Sequence, residues 1–149
     1  KPLLCYPGTP YSTENILIHE SAHTILECGL ADLAPGFEKR LQQAYGKALE
    51  AGLWKNTYAA ENPHEYWAEG VQDWFDNNRQ NDAQHNAVNT RAELQQYDPG
   101  LAALCREVLG DRPWRYRKPL DRPAGERGHL AGFDPARAPT FRWRNAGNG

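Results

Sequence analysis

Apolar residues recur at helical spacing through most of the first 110 positions, and Pro, Gly and Asn punctuate them. The first run, Asn15 to Cys28, carries Ile16, Leu17, Ile18, Ala22, Ile25 and Leu26. Ser12 or Thr13 is expected to cap it, with Glu14 in the first turn and Gly29 as a left-handed stop. After a turn at Ala34-Pro35-Gly36, Phe37, Leu41, Ala44, Tyr45, Ala48 and Leu49 predict a second helix, Phe37 to Ala51, closed by Gly52. Leu53 to Ala60 reads as a connector. Asn62 as N-cap, Pro63 at the first helical position and Glu65 at the third then mark the start of a third helix. It runs through an aromatic stripe, Tyr66, Trp67, Trp74 and Phe75, to about Asn77, and the stripe reads as core.

The rest is less regular. Asn78 to Asn89 is rich in Asn, Gln and Asp and reads as a loop, in which His85 is expected to face solvent. Thr90 to Tyr97 suits a short helix, and Asp98-Pro99-Gly100 a turn. Leu101, Leu104, Val108 and Leu109 form the apolar face of a last helix that stops at Gly110 and should pack on the first and third. Lys1 to Tyr11 reads as an extended lead-in. The prediction is a mainly α fold, the alternative being α+β with a minimal sheet.

Composition narrows the class. A chain of 149 residues with 40% hydrophobic and 24% charged positions suits one soluble domain, and no apolar stretch approaches the length of a membrane span. Charge divides the chain in two. Residues 1–111 carry 8 basic and 16 acidic side chains, net −8, whereas residues 112–149 carry 9 basic and 3 acidic, net +6. We therefore expect a helical body, 1–111, and a basic Pro/Gly/Arg-rich extension, 112–149, strapped over it by Trp114, Tyr116, Phe133, Phe141 and Trp143. Nucleic acid is the other partner such a segment suits, but its arginines alternate with prolines and acids and form no helical stripe. A monomer is expected.

The chain opens at Lys1 and contains no Met, so an upstream piece is expected to have been removed. Three cysteines, Cys5, Cys28 and Cys105, have no C-x-x-C spacing and allow at most one internal disulfide. Together these features point to a secreted or extracytoplasmic protein; the alternative is a cytoplasmic one with all thiols reduced.

Within the first helix lies His19-Glu20-Ser21-Ala22-His23. Residues four apart on a helix share a face, so the two imidazoles converge on one point and form half of a zinc site. Glu20 projects about a hundred degrees round the helix from His19, placed to act on a water without binding the metal. The alternative is an amphipathic helix with two exposed histidines, but the flanking residues are apolar enough to bury it, and a buried imidazole needs a partner. A third ligand must come from elsewhere, and the candidates are His64, Glu65, Glu69, Asp73 and His85. Glu65 and Glu69 share a helical face flanked by aromatics. One arrangement serves both: Glu65 binds the ion and Glu69 accepts the free ring N–H of a ligating histidine. Otherwise Glu65 is a capping-box glutamate bonded back to Asn62, and Glu69 a solvated acid.

The segment from Tyr58 to Glu69, Tyr-Ala-Ala-Glu-Asn-Pro-His-Glu-Tyr-Trp-Ala-Glu, lies downstream of the paired histidines. With them it resembles the gluzincin metallopeptidases of the anthrax lethal factor, Pro-Pro endopeptidase and Mlc titration factor group. Tyr58 stands seven residues before Glu65, and Glu65 opens a Glu-aromatic-aromatic-Ala run, as in that group. The resemblance covers roughly residues 12–77. It implies a zincin-like helical core, one zinc ion on His19, His23 and Glu65, Glu69 behind the ligands, Glu20 as general base and Tyr58 as donor to the transition state. It implies a zinc peptidase acting on a peptide or protein substrate. The competing reading is a non-catalytic zinc-scaffold module that uses its basic tail as a contact surface.

Overall fold

In a computed structural model, Cys5, residues 11 to 132, residue 134 and residue 137 are described. Among them the chain is mainly helical, with no strand. The principal helices are α1 (Ile16–Thr24), α2 (Ala31–Leu33), α3 (Phe37–Glu50), α4 (Pro63–Trp74), α5 (Arg91–Tyr97) and α6 (Pro99–Leu109). Phe133, Phe141 and Trp143, and most of the expected lead-in, lie outside the described residues.

The architecture centres on α4, which packs against α1, α3, α5 and α6. Every residue from Tyr66 to Trp74 is buried, and Trp67, Trp74 and Tyr66 are among the largest fully buried side chains. Phe37 meets Trp67 edge to face at 5.3 Å, which brings α3 onto this core, so Tyr66, Trp67 and Trp74 of the aromatic stripe are core as expected, while Phe75 is half-buried at its edge. On the opposite flank Gly70 lets α6 approach closely, because a Cβ there would lie 2.5 Å from Leu101 Cδ2. Helix α6 starts earlier than expected. Asp98 caps it by accepting from Leu101 N at 3.0 Å, and Pro99 and Gly100 are its first residues rather than a separate turn. Proline at the first helical position loses no intrahelical bond, so the Asp-Pro pair initiates a helix. The second oxygen of Asp98 accepts from Tyr66 Oη and Trp54 Nε1, locking this cap into the core.

The ends of α4 set its register against α1. Asn62 accepts from His64 N and Glu65 N, the predicted cap. At the other end Asp76, in the left-handed region at φ 54°, completes a Schellman turn with Asn77 N on Gln72 O and Asp76 N on Asp73 O. That turn aims Asn77 at the start of α1, where its side chain accepts from Asn15 N and donates to Asn15 O. Farther along, Trp67 Nε1 donates to Ala22 O at 2.9 Å. With residue 15 opposite 77 and 22 opposite 67, α1 and α4 run antiparallel, and the paired histidines face the paired glutamates.

Two boundaries of the first helix differ from expectation. Its cap is Asn15, which accepts from Leu17 N, and neither Ser12 nor Thr13. It does not stop at Gly29 but widens into a π-helix over Ile25–Leu30 and continues into α2. The left-handed glycine falls instead at Gly36, φ 88°, directly before α3.

Past α6 the chain returns to the C-terminal end of α4. Tyr116 N donates to Phe75 O, Trp114 packs on Phe75, and Arg91 reaches both Asp111 and the Arg112 carbonyl while stacking on Trp74. No helix among the described residues is long and apolar enough to cross a membrane.

Candidate metal centre

Antiparallel packing of α1 on α4 brings three predicted ligands together. His19 Nε2 lies 3.0 Å from Glu65 Oε2 and 3.1 Å from His23 Nε2, and His23 Nε2 lies 3.4 Å from the same glutamate oxygen. For metal–ligand bonds of about 2.0–2.1 Å, the donors of a tetrahedral site stand about 3.3–3.4 Å apart, close to all three separations. His19, His23 and Glu65 could therefore hold a metal ion. Glu65 is not the capping-box glutamate of the alternative reading: its carboxylate turns to the imidazoles, and Asn62 caps the helix alone.

Behind the triad, His19 is held through its other nitrogen. Nδ1 is 2.9 Å from Gln72 Oε1 and 3.4 Å from Glu69 Oε1, so this nitrogen carries a proton and Nε2 is the one turned to the other ligands. Glu69 is buried as a supporting carboxylate rather than solvated, but Gln72 is the nearer acceptor. Glu69 in turn accepts from Asn78 Nδ2 at 2.9 Å and faces His85 Nε2 at 3.3 Å. Burial pushes its pKa up, yet the hydrogen bonds from His19, His85 and Asn78 outweigh that and hold it at about 2. For His19 burial favours the neutral ring, but bonds to Glu69 and Gln72 with the charges of Glu69 and Glu65 raise it to about 9.

His85 corrects the expectation of a solvent-facing loop histidine. It is 7% exposed, wedged between Glu69 and Asp82, whose Oδ1 is 2.7 Å from His85 Nδ1. Those two carboxylates raise its pKa against the lowering effect of burial. The loop is ordered by its own polar side chains: Asp82 accepts from the backbone of Gln84 and His85, and Asn86 accepts from Val88 N.

A polar chain continues from Gln72, whose Nε2 donates to Glu14 Oε2 at 2.6 Å. Glu14, 2% exposed, faces Arg79 Nε at 3.1 Å, and Arg79 reaches Asp82. His19, Gln72, Glu14, Arg79, Asp82, His85 and Glu69 thus close a ring behind the ligands. Gln72, Glu14 and Asn78 were not among the sequence candidates. Gln72 had a visible signal, because positions 65, 69 and 72 form one helical stripe.

Glu20 and Tyr58 stand on the open side. Glu20 is exposed and borders two cavities. One is a groove of about 590 Å³ past His23, Glu27, His64 and Glu65, and the other is a pocket of about 260 Å³ past His19, Tyr58, Arg79 and His85. The Tyr58 ring stacks on His19 at 6.1 Å between centroids. Burial and then the negative Glu65 raise its pKa, so the phenol keeps its proton at neutral pH. His64 pairs with Glu27 and Glu38 away from the triad, and Asp73 is fully buried without a hydrogen-bonding partner among the described residues. Neither joins the ligands.

No family model, curated protein or solved structure matches the chain.

Proposed function

We propose that the protein is a zinc-dependent metallohydrolase that cleaves amide bonds in peptides. The observation that carries this reading is the convergence of His19, His23 and Glu65 at the margin of an open groove, with Glu20 on its rim. Two imidazoles and one carboxylate are a donor set suited to zinc, and three protein ligands leave a position for solvent or substrate. Bound there, zinc would supply Lewis acidity, polarising a carbonyl and bringing the pKa of water down to about 7.

The chain's own groups have complementary roles. Glu20 is exposed and one residue beyond a ligand, placed to take a proton from water and return it to the leaving amine. Tyr58 retains its phenolic proton beside His19 and is placed to donate to negative charge developing on the substrate oxygen. Gln72 and Glu69 hold Nδ1 of His19 as an N–H donor, so Nε2 is the nitrogen a metal would take, displacing the proton that the ring otherwise carries there below about pH 9. The resemblance to gluzincin peptidases assigns Tyr58 and Glu69 the same roles.

The test is metal analysis of the purified full chain together with cleavage of a random peptide library, with and without chelator. About one zinc per chain and chelator-sensitive cleavage are expected. Zinc binding without cleavage of any peptide would leave the non-catalytic scaffold instead, and absence of zinc binding would remove both readings.

A further inference from the structure

The two cavities that meet at Glu20 each border three glutamates, Glu20, Glu27 and Glu65 in the larger groove and Glu14, Glu20 and Glu69 in the smaller pocket, but of the two linings the pocket's alone includes an arginine, Arg79. Arg79 is anchored at one end only. Its Nε lies 3.1 Å from Glu14 Oε1 and 3.6 Å from Asp82 Oδ2, ion pairs without hydrogen-bond geometry, and its two terminal nitrogens donate no hydrogen bond among the described residues. The carboxylates thus hold the base of the guanidinium by charge, and the pair of donors that matches a carboxylate is left over.

Of the acids around the same pocket, Glu14 and Asp82 pair with Arg79 at its Nε, Glu14 also accepts from Gln72, and Glu69 is held by Asn78, His19 and His85, while exposed Glu20 stands on the rim; none of them occupies the terminal nitrogens of Arg79. At about 260 Å³ the pocket is several times the ~30 Å³ that one water occupies in the liquid, enough for a single side chain. His19, Glu20 and Tyr58 line it as well, so a group held by Arg79 is adjacent to the reacting centre.

We propose that Arg79 binds a carboxylate of the substrate in this pocket, making the enzyme selective for peptides with an acidic group beside the scissile bond. This rests on the metallopeptidase reading above. It adds the substrate class, which neither the metal ligands nor the general base specifies.

Pairs of peptidyl hydroxamates test it, each pair identical except for Glu or Gln next to the chelating group, one pair extended to either side. Their affinities are measured by calorimetry on the zinc-loaded full chain. In one pair the Glu compound should bind about tenfold tighter, the preference should shrink about threefold in Arg79→Lys, which keeps a charge beside Glu14, and it should vanish in Arg79→Gln. Equal binding of Glu and Gln compounds by the wild type in both pairs overturns the assignment while leaving the metal site standing. So does a preference that survives either substitution undiminished. Failure of the zinc-loaded chain to bind any hydroxamate instead removes the metallopeptidase reading, and the Arg79 assignment with it. The wild-type comparison decides the matter even if Arg79→Gln fails to fold.

Discussion

Replacing Glu69 with Gln probes the support behind the proposed metal ligands without changing shape. The side chain is 3% exposed and faces His19 Nδ1 at 3.4 Å, so the substitution removes a buried negative charge and keeps an oxygen that can accept. Burial lowers the pKa of His19, yet the bonds to Glu69 and Gln72 and the charges of Glu69 and Glu65 raise it from 6.5 to about 9, so Glu69 is one of the groups that make this ring more basic. Glu69→Gln should lose about 10–100-fold in metal affinity, the range typical when a residue supporting a zinc-bound histidine is changed. The sign follows from the charge: a carboxylate near Nδ1 makes the imidazole a stronger donor at Nε2, and a neutral amide makes it weaker. Competition against a chromophoric zinc chelator gives the affinity, and circular dichroism checks that the helices persist. Unchanged affinity in a folded Glu69→Gln protein would refute the reasoning and leave Gln72, at 2.9 Å, as the group that orients His19.

Further outcomes are expected. Glu20→Gln should bind zinc like the wild type and lose about 10²–10⁴-fold in kcat, the usual contribution of general acid–base catalysis; full activity removes Glu20 from the base role. Gly70→Ala places a Cβ 2.5 Å from buried Leu101 and should destabilise, since overpacking costs about 1–3 kcal/mol and exceeds the ~1 kcal/mol gain in helix propensity. Urea unfolding of Gly70→Ala beside Gly70→Ala/Leu101→Ala checks this, and no difference between Gly70→Ala and wild type would count against the close approach of α4 and α6. Burial, reinforced by the negative charges of Glu69, Glu93 and Asp76, raises the pKa of Asp73 well above its ordinary value. The folded chain therefore holds a proton that the unfolded chain releases above about pH 4, and this group costs stability as pH rises from there to its folded pKa, by up to ~1.4 kcal/mol per pH unit. Asp73→Asn has no such proton, so urea unfolding at pH 5, 6 and 7 should show the variant gaining on the wild type with pH; a constant difference sinks the assignment.

Much of the fold was legible because its signals are local. Asn62 and Pro63 begin α4 where a side-chain acceptor followed by proline should begin a helix, and Thr90 forms a capping box with Glu93 at the start of α5. The misplaced boundaries have tertiary causes. Asn15 is preferred over Ser12 and Thr13 because its backbone is already paired with Asn77 across the α1–α4 interface. Gly29 does not end the helix because the chain widens from Ile25 onward, just after Ala22 gives its carbonyl to Trp67, and sequence periodicity does not reveal such a contact.

The candidate centre divides in the same way. His19 and His23 are four apart, and Glu65, Glu69 and Gln72 share one stripe, so each half was readable on its own helix. What joins the halves is Asn77 gripping Asn15, a contact 62 residues apart in sequence that sets which turn of α1 meets which turn of α4. The misreading of His85 has the same origin. Its loop is polar enough to suggest a solvated tip, but Asn78, Asp82 and His85 turn their polar groups toward one another and toward Glu69. A buried carboxylate imposes that arrangement. Once α4 places Glu69 beyond the reach of water, donors must come to it, and the nearest available chain is the loop that follows the helix. The polar composition of residues 78–89 is therefore better understood as the complement of one buried charge than as a sign of exposure.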